Sequence, residues 1–395
     1  MDKIFSIFPI GRNKELFKFS KPIRARLYFF DSSIDLLVNK KSSENIFDYL
    51  GKLDKKKLDC KRENLFEVHH LYYELSDILL FQKNSIYQNS PLAIEIIYSE
   101  KNIFELKQHN LKPKVIISSK ISRENYLIDI NNGIKELYSG NSYQFNFTSE
   151  FIYQMEKFSI DELASSFFSE KEKLGQFAHL TFIQSLGTII LSNSPECLFQ
   201  LKKKNKFLDC TTLPIKGSHK IDEGKNIKSQ WLELTQDKKN QGELFMIIDL
   251  LKNDLNSIEL PIAKVIRKKA KLIVPGIIHQ MGIINIRLSP QVSMGKIIRA
   301  LFPGGSITGA PKKRTVEILQ KIERRPRGIY TGSTLLIQNG RVDCSINIRT
   351  AEINLNKLRL KYGAGGGITL KSKPDDEFNE MNLKVDSFIS TFFKS

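Results

Sequence analysis

The sequence predicts an α+β fold of mainly antiparallel strands, and three observations carry that reading. Tight turn signals divide short apolar runs: Gln338-Asn339-Gly340 makes one hairpin turn and Asn354 to Lys357 a second, within a meander from Tyr330 to Tyr362. Few stretches alternate strand, helix and strand as a parallel sheet requires. Helical periodicity is confined to a small number of segments, each bounded by turn residues.

Composition narrows the class of protein. The chain has 395 residues, 41% hydrophobic and 26% charged, which suits one large globular domain or two ordinary ones. The net charge is +18, yet the lysines are dispersed and Asn and Ile are also abundant, the mark of a biased coding sequence. Nucleic acid is therefore not the expected partner, although a basic surface would favour the approach of an anionic substrate. Cys60, Cys197, Cys210 and Cys344 are far apart, without a CxxC pair or a nearby histidine cluster, so neither a zinc site nor a disulfide framework is expected and a reducing compartment fits. Met1 to Ile10 contains no apolar run of signal-peptide length, and no uninterrupted apolar stretch reaches roughly 18 residues, so no membrane span and a cytoplasmic location are expected.

Residues 1–120 carry no motif. Ile23 to Phe30 and Leu92 to Tyr98 read as strands, and Ile46 to Leu53 and Phe66 to Phe81 as helices. We expect a variable N-terminal region over 1–120, packed on a catalytic domain over 121–395.

The second part is more informative. Tyr126 to Tyr138 has helical spacing, and Tyr143 to Thr148 alternates so that Gln144, Asn146 and Thr148 share one strand face; taken alone, that face reads as solvated. Two strands within Phe177 to Leu191 lead to Ser194-Pro195-Glu196 and a further strand from Cys197 to Leu201. A carboxylate wedged between proline and an apolar run is either a turn glutamate or a partly buried proton carrier with a raised pKa. A strand from Lys206 to Thr211 then enters Pro214-Ile215-Lys216-Gly217. Lys216 follows two apolar residues with no acid beside it; this is a surface strand end, or an amine held where it can act as a nucleophile.

Gly242 to Ile258 reads as a helix with a stripe of Leu244, Ile247, Ile248, Leu251 and Leu255, and Glu243 points along a largely apolar face. His279 lies in a strand pair from Lys271 to Arg287, where a structural role is the simpler one. Phe302 to Pro311 is glycine-rich and opens a helix with Thr308 as cap, offering free N–H groups to an anion. Arg349 falls in the middle strand of the meander, where an arginine pairs with a carboxylate of the protein or of a ligand. Gly363 to Gly367 allows close approach of backbone. A last helix begins near Ser372, with Phe378, Met381, Val385, Phe388 and Phe392 as its core stripe. Glu377, Glu380 and Lys384 run along its edge, as an exposed stripe or as part of a site for a hard cation.

From Tyr143 to Phe392 these pieces resemble the chorismate-utilising enzymes: anthranilate synthase component I, aminodeoxychorismate synthase component I, isochorismate synthase and salicylate synthase. The motifs that carry the resemblance are Ser194-Pro195-Glu196, Glu243 through Asp254, Phe302 to Pro311, Ile348-Arg349-Thr350 and Gly365 through Glu380, in the family's order. The resemblance implies large antiparallel sheets packed face to face and flanked by helices. It also implies a site in which Glu243 and Glu380, supported by Glu377, hold Mg²⁺ against the ring carboxylate of chorismate. Arg349, Tyr330, Gly365 and Gly367 would grip the enolpyruvyl carboxylate, with Gln144, Ser218, His279 and Lys384 also on the substrate. Glu196 would protonate the departing 4-hydroxyl.

Two positions discriminate among members. Gln144 stands where the water-using enzymes carry a lysine, which implies ammonia as nucleophile, and Lys216 stands where anthranilate synthases carry an alanine. Lys216 is similar in this to aminodeoxychorismate synthase component I, in which the lysine adds to C2 of chorismate, ammonia adds at C4, and 4-amino-4-deoxychorismate leaves for 4-aminobenzoate and folate synthesis. The departures are Ser218-His219 in place of Thr-Arg, and Asn240 in place of an acid. The chain carries no glutamine amidotransferase signature, so ammonia is expected from solution or from a separate amidotransferase subunit. Anthranilate synthase component I is the alternative, and a catalytically silent basic binding protein the reading from another class.

Overall fold

The structure is a computed structural model that describes residues 3–394 apart from 12, 59–64, 85–86, 88, 108–111, 223, 261 and 275–276. Its first elements are β1 (Ile4–Ile10), β2 (Glu15–Tyr28), β3 (Ser33–Asp35), β4 (Lys40–Ser42), α1 (Ile46–Lys55), β5 (Phe66–Leu71), α2 (Leu75–Phe81), β6 (Ala93–Ile103) and β7 (Val115–Ser119). There follow α3 (Arg123–Tyr138), β8 (Gln144–Met155), α4 (Ile160–Ser169), β9 (Phe177–Ile183), β10 (Thr188–Ser194), β11 (Cys197–Lys203), β12 (Leu208–Leu213) and β13 (Ile215–Lys220). Next come α5 (Ile227–Gln236), α6 (Lys238–Asn256), β14 (Lys264–Val274), β15 (Ile277–Leu288), α7 (Met294–Leu301), α8 (Gly305–Thr308), β16 (Gly309–Ala310) and α9 (Lys312–Glu323). The chain closes with β17 (Ser333–Gln338), β18 (Arg341–Ile346), β19 (Thr350–Asn354), β20 (Arg359–Ile368) and α10 (Pro374–Phe392).

The strand pairs are antiparallel throughout, and they run β7-β8-β20-β19-β10-β9-β1-β2 and on through β6-β5-β17-β18-β11-β12-β15-β14. Strands from both sides of residue 120 share this order: β1 lies between β9 and β2, and β5 between β6 and β17. The sheet turns back on itself along β2 and β6, where the register shifts between Pro22 and Arg24 and Lys21 takes φ of 51°. Proline donates no ladder bond, and a shift of this kind bends a strand.

Folding over brings the two halves face to face. His70 of β5 hydrogen-bonds Thr181 of β9 across the layers at 3.1 Å, although three strands separate them in the order. Period-two alternation then divides the apolar side chains. Ile190 of β10 and Leu336 of β17 meet in the inner layer. Their neighbours face outward, Ile189 and Leu191 beneath α3, α4, α9 and α10, and Leu335 and Ile337 beneath α1, α6 and α7. This is the α+β architecture expected, with large antiparallel sheets flanked by helices. Among the described residues no helix is long and apolar enough to cross a membrane.

Several local expectations are corrected. Phe66 to Phe81 is a strand followed by a helix, because Phe66–Leu71 is buried along its length between β6 and β17. The meander is two separate hairpins, β17–β18 and β19–β20, whose members pair outward with β11 and β10. Arg349 is consequently not in a strand; it sits in the link between the hairpins with φ of 49°. Thr308 does not cap a long helix: its hydroxyl donates to the Gly304 carbonyl within the one-turn α8, and α9 starts after Pro311. The polar face of β8 is not solvated, since Gln144, Asn146 and Thr148 are all buried. The turn at Asn339-Gly340 is as expected, both residues having positive φ.

A buried arginine ties these layers together. Arg327 is 1% exposed and donates from Nε and Nη2 to Glu323 at 2.8 Å each, from Nη2 to the Asn146 carbonyl at 2.7 Å, and from Nη1 to the Ile307 carbonyl at 3.0 Å. Removing one partner of a buried ion pair leaves the other charge uncompensated, which costs about 3–5 kcal/mol. Arg327→Met is therefore expected to lower unfolding free energy by about that amount in a urea titration, and the double change with Glu323→Leu to recover part of the loss.

Candidate active site

A cavity of about 550 Å³ opens where β13, β15, β20, α6 and α10 meet the links around Pro195 and Arg349. Each wall has a local cause. In β13 the register against β15 slips between Ile215 and Ser218, and Gly217 takes φ of 81°, a left-handed conformation that glycine adopts without strain. The bulge places Lys216 on the cavity wall. The stripe of α6 (Leu244, Ile247, Ile248, Leu251, Leu255) is buried as expected, with Ile248 packed on Gly282 of β15. Helical geometry then brings the half-buried Glu243 to the same cavity.

Glu196 occupies the short link between β10 and β11. Its backbone N–H donates to Ser194 Oγ at 3.2 Å, and its carbonyl accepts from Ile346 N at 3.0 Å. The side chain is 7% exposed, and its Oε1 has no hydrogen-bond partner. Burial pushes its pKa above the usual carboxylate range; a hydrogen bond from Ser306 and the charge of Lys216 pull the other way, less strongly. A buried carboxyl biased toward its protonated form, with one oxygen unpaired, suits proton donation into the cavity.

Across from it lie the cationic and aromatic groups. Arg349 reaches the cavity from its left-handed position, its carbonyl accepting from Asn193 N at 2.9 Å. His279, beside it, is driven by burial, with a further contribution from the Arg349 charge, down to about 4, so it is neutral at physiological pH. Tyr330 is buried and its phenol pushed well up by that burial, so it stays a neutral donor. A Cβ on Gly363 would collide with the Tyr330 ring, and one on Gly367 with the amide of Gln144. The side-chain-free stretch of β20 thus lets both groups pack directly on backbone.

From α10, Lys384 donates to the Gly365 carbonyl at 3.0 Å and pairs with Glu380 at 2.8 Å, and Glu377 and Glu380 line the cavity with Glu243. Glu380 is exposed and Glu377 half-buried, so neither sits on a closed apolar face. Three carboxylates from two helices offer the oxygen donors a hard divalent cation takes. Among the described residues, no three His, Cys, Asp or Glu side chains lie close enough to hold a metal by themselves. Mg²⁺ fits such a spread set, because it retains several waters and is held by one or two carboxylates together with substrate oxygens.

Lys216, Glu196, His279, Tyr330, Arg349, Gly365, Gly367, Lys384, Glu243, Glu377 and Glu380 are thereby brought together. Gln144 lies behind Gly367, fully buried, with neither amide atom hydrogen-bonded. Ser218 pairs in register with His279, and its side chain, like that of Asn240 and like Cys60, lies outside the described residues. Ser306, Ile348 and Tyr362 were not anticipated. Ser306 lies within the glycine-rich Phe302–Pro311 run, which marked a close approach of backbone without saying which side chain it presents.

The model of the chorismate binding enzyme family matches residues 59–390. The chain belongs to that family. Among curated relatives, it is 34% identical over 270 residues to the aminodeoxychorismate synthase, chloroplastic, of Arabidopsis thaliana, a match covering 67% of this chain and 28% of that protein. It is 32% identical over 259 residues to aminodeoxychorismate synthase component 1 of Salmonella typhimurium, covering 64% and 54%. The component 1 of Escherichia coli is 30% identical over 286 residues, covering 70% and 59%. The matched part of the chain thus spans little more than half of the bacterial relatives and under a third of the plant one. Among solved structures, anthranilate synthase component I from Streptococcus pneumoniae superposes with a TM-score of 0.74 at 17% identity, over 94% of this chain and 91% of that one. The menaquinone-specific isochorismate synthase from Escherichia coli gives 0.71 at 14%, over 99% and 89%. At such identities these likenesses speak for the fold.

Because the folded state holds the Glu196 proton more tightly than the unfolded chain, Glu196 contributes stability at acid pH that is lost as pH rises through its raised pKa. Glu196→Gln removes that term. Its Tm relative to the parent protein is expected to improve as pH rises above the ordinary carboxylate range and to level off once the raised pKa is passed, read from thermal melts at a series of pH values.

Proposed function

We propose that the protein aminates chorismate as an aminodeoxychorismate synthase component I. The observation that carries this reading is that Lys216 and Glu196 face one cavity, close enough for the lysine charge to act on the carboxyl. A nucleophile and a proton donor are thereby set on one substrate space. The names of the curated relatives support the same reading.

Chorismate carries two carboxylates. In this reading Arg349, Tyr330 and the Gly365–Gly367 backbone hold the enolpyruvyl carboxylate, and His279 with Ser218 lines the ring pocket. Glu243 and Glu380, with Glu377 close by, would hold Mg²⁺, which when bound would supply charge neutralisation at the ring carboxylate. Lys384 fixes Glu380 and the Gly365 carbonyl relative to each other.

The Lys216 amine adds to C2, the ring double bonds shift, and the C4–O bond breaks with the Glu196 proton going to the leaving oxygen, so that water departs. Ammonia then forms the C4–N bond, the double bonds shift back, the C2–N bond to Lys216 breaks to free its amine, and a proton from the added nitrogen returns to Glu196. The balance is chorismate plus ammonia to 4-amino-4-deoxychorismate plus water, with the enolpyruvyl group kept for 4-aminobenzoate and folate synthesis. Gln144, behind Gly367, supplies no base to activate water. Ammonia would come from a separate glutamine amidotransferase subunit.

Anthranilate synthase component I activity is the second reading, because a single residue, Lys216, separates the two. The deciding experiment is a product assay with purified protein, chorismate, Mg²⁺ and an ammonium salt, resolved by chromatography and mass. Aminated product with the enolpyruvyl group retained is expected; anthranilate with free pyruvate would replace this reading with the second.

Two variants test the assignments. Lys216→Ala is expected to lower kcat by about a hundredfold or more with its Tm preserved. Unchanged turnover would remove the covalent step. Glu380→Gln should abolish the dependence of turnover on Mg²⁺ concentration and the rise in Tm that Mg²⁺ with chorismate gives the parent protein.

A further inference from the structure

Tyr126 has no part in the reaction described above. It lies near the start of α3, fully buried, and its hydroxyl has no hydrogen-bond partner. A buried O–H without an acceptor costs free energy that phenylalanine in the same place would not. The ring has apolar neighbours: it meets Phe147 of β8 edge-on at 5.4 Å and Phe378 of α10 at 5.1 Å. Packing therefore accounts for the ring and leaves the hydroxyl unexplained.

The sheet determines what lies beside that hydroxyl. Phe147 stands opposite Gly366 of β20, so the two share one face. Gly366 has no side chain, and the Glu377 carboxylate lies over it, with Oε2 at 3.2 Å from where a Cβ would be. Tyr126 and Glu377 thus pack on neighbouring positions of one strand pair. A further link fixes α3 against α10: Arg123 donates to Asp375 at 2.7 Å, and these two lie one turn before Tyr126 and Phe378. Burial raises the Tyr126 pKa, and the charges of Glu377 and Glu380 add to the rise. The phenol therefore keeps its proton and acts toward these carboxylates as a donor.

We propose that Tyr126 is a positioning residue of the cation site, its hydroxyl donating to Glu377 and holding that carboxylate in place when the cation is bound. The inference rests on the Mg²⁺ reading given above and adds a group behind the carboxylates. A carboxylate has about four lone-pair positions, so a fixed donor on the protein side leaves others for the cation or its waters. The donor comes from α3, so the cation site draws its order from the packing of two helices on β8 and β20 and not from α10 alone.

The test is a titration of Mg²⁺ at saturating chorismate, read as the rise in Tm. Tyr126→Phe keeps the ring and removes only the hydroxyl. Its Tm without Mg²⁺ is expected to match or exceed that of the parent protein, while a given rise in Tm takes roughly tenfold more Mg²⁺. KM for chorismate, measured at saturating Mg²⁺, is expected to stay at the parent value. An unchanged Mg²⁺ requirement overturns the role, whatever the metal-free Tm does. Glu377→Gln supplies a second arm. Where the hydroxyl acts through Glu377, adding Tyr126→Phe to that variant raises the Mg²⁺ requirement little further, and fully additive shifts overturn the role. A parent protein whose Tm does not respond to Mg²⁺ with chorismate would overturn the cation reading, and the role of Tyr126 with it.

Discussion

The arrangement of this protein depends on the fully buried guanidinium of Arg327. An arginine has five N–H donors, and here each has an acceptor: both carboxylate oxygens of Glu323, the carbonyls of Asn146 and Ile307, and at 3.4 Å the hydroxyl of Thr331. Tyr73 covers its face at 4.4 Å, and the backbone N–H groups of Arg327 and Gly328 are taken by the buried Glu74. A charge so far from water is tolerable only when every donor is satisfied. That requirement fixes the positions of β8, α8, α9 and the turn at Tyr330 relative to one another. Neither Glu196 nor Tyr330 contacts this guanidinium in a hydrogen bond, yet the turn that carries Tyr330 and the helix that carries Ser306, the partner of Glu196, are set by it.

The cavity uses its charges differently. Its carboxylates are dispersed over two helices and a loop, with Lys216, Arg349 and Lys384 interspersed. Burial, rather than a neighbouring like charge, is the chief cause of the raised Glu196 pKa and of the neutral His279. Such a wall biases one acid toward its protonated form and leaves the positive groups to receive an anion, a division of labour produced by differing solvation of side chains that share one space.

Much of this was legible in the sequence where the signal is local. The α6 and α10 stripes, the Asn-Gly turn and the Ser194-Pro195-Glu196 link are written in adjacent residues, and the structure places them as read. What failed was whatever depends on a distant partner. Phe66–Leu71 includes Glu67, His69 and His70, which look too polar for a central strand. Lys56, Tyr49 and Thr334 satisfy them there. The β8 face of Gln144 and Asn146 reads as solvated until glycines more than two hundred residues later cover it. Arg349 could not be placed by pattern at all, since a non-glycine residue at positive φ is held by its surroundings. For the site, the motif residues were recognisable, whereas Ser306 and Arg327 became visible only through contacts between segments.

The interleaving of early and late strands bears on how the chain assembles during synthesis. β5 takes its place beside β17, with Val68 opposite Leu336, so one edge of an early strand stays unpaired until β17 has been synthesised. β1 likewise waits for β9. Pairings of such long range are slow to close, and the waiting strand edges are open to mispairing with another chain. A nascent chain of this strand order therefore carries its first sheet incomplete while the later strands are still being made, a hazard set by topology rather than by the chemistry of the cavity.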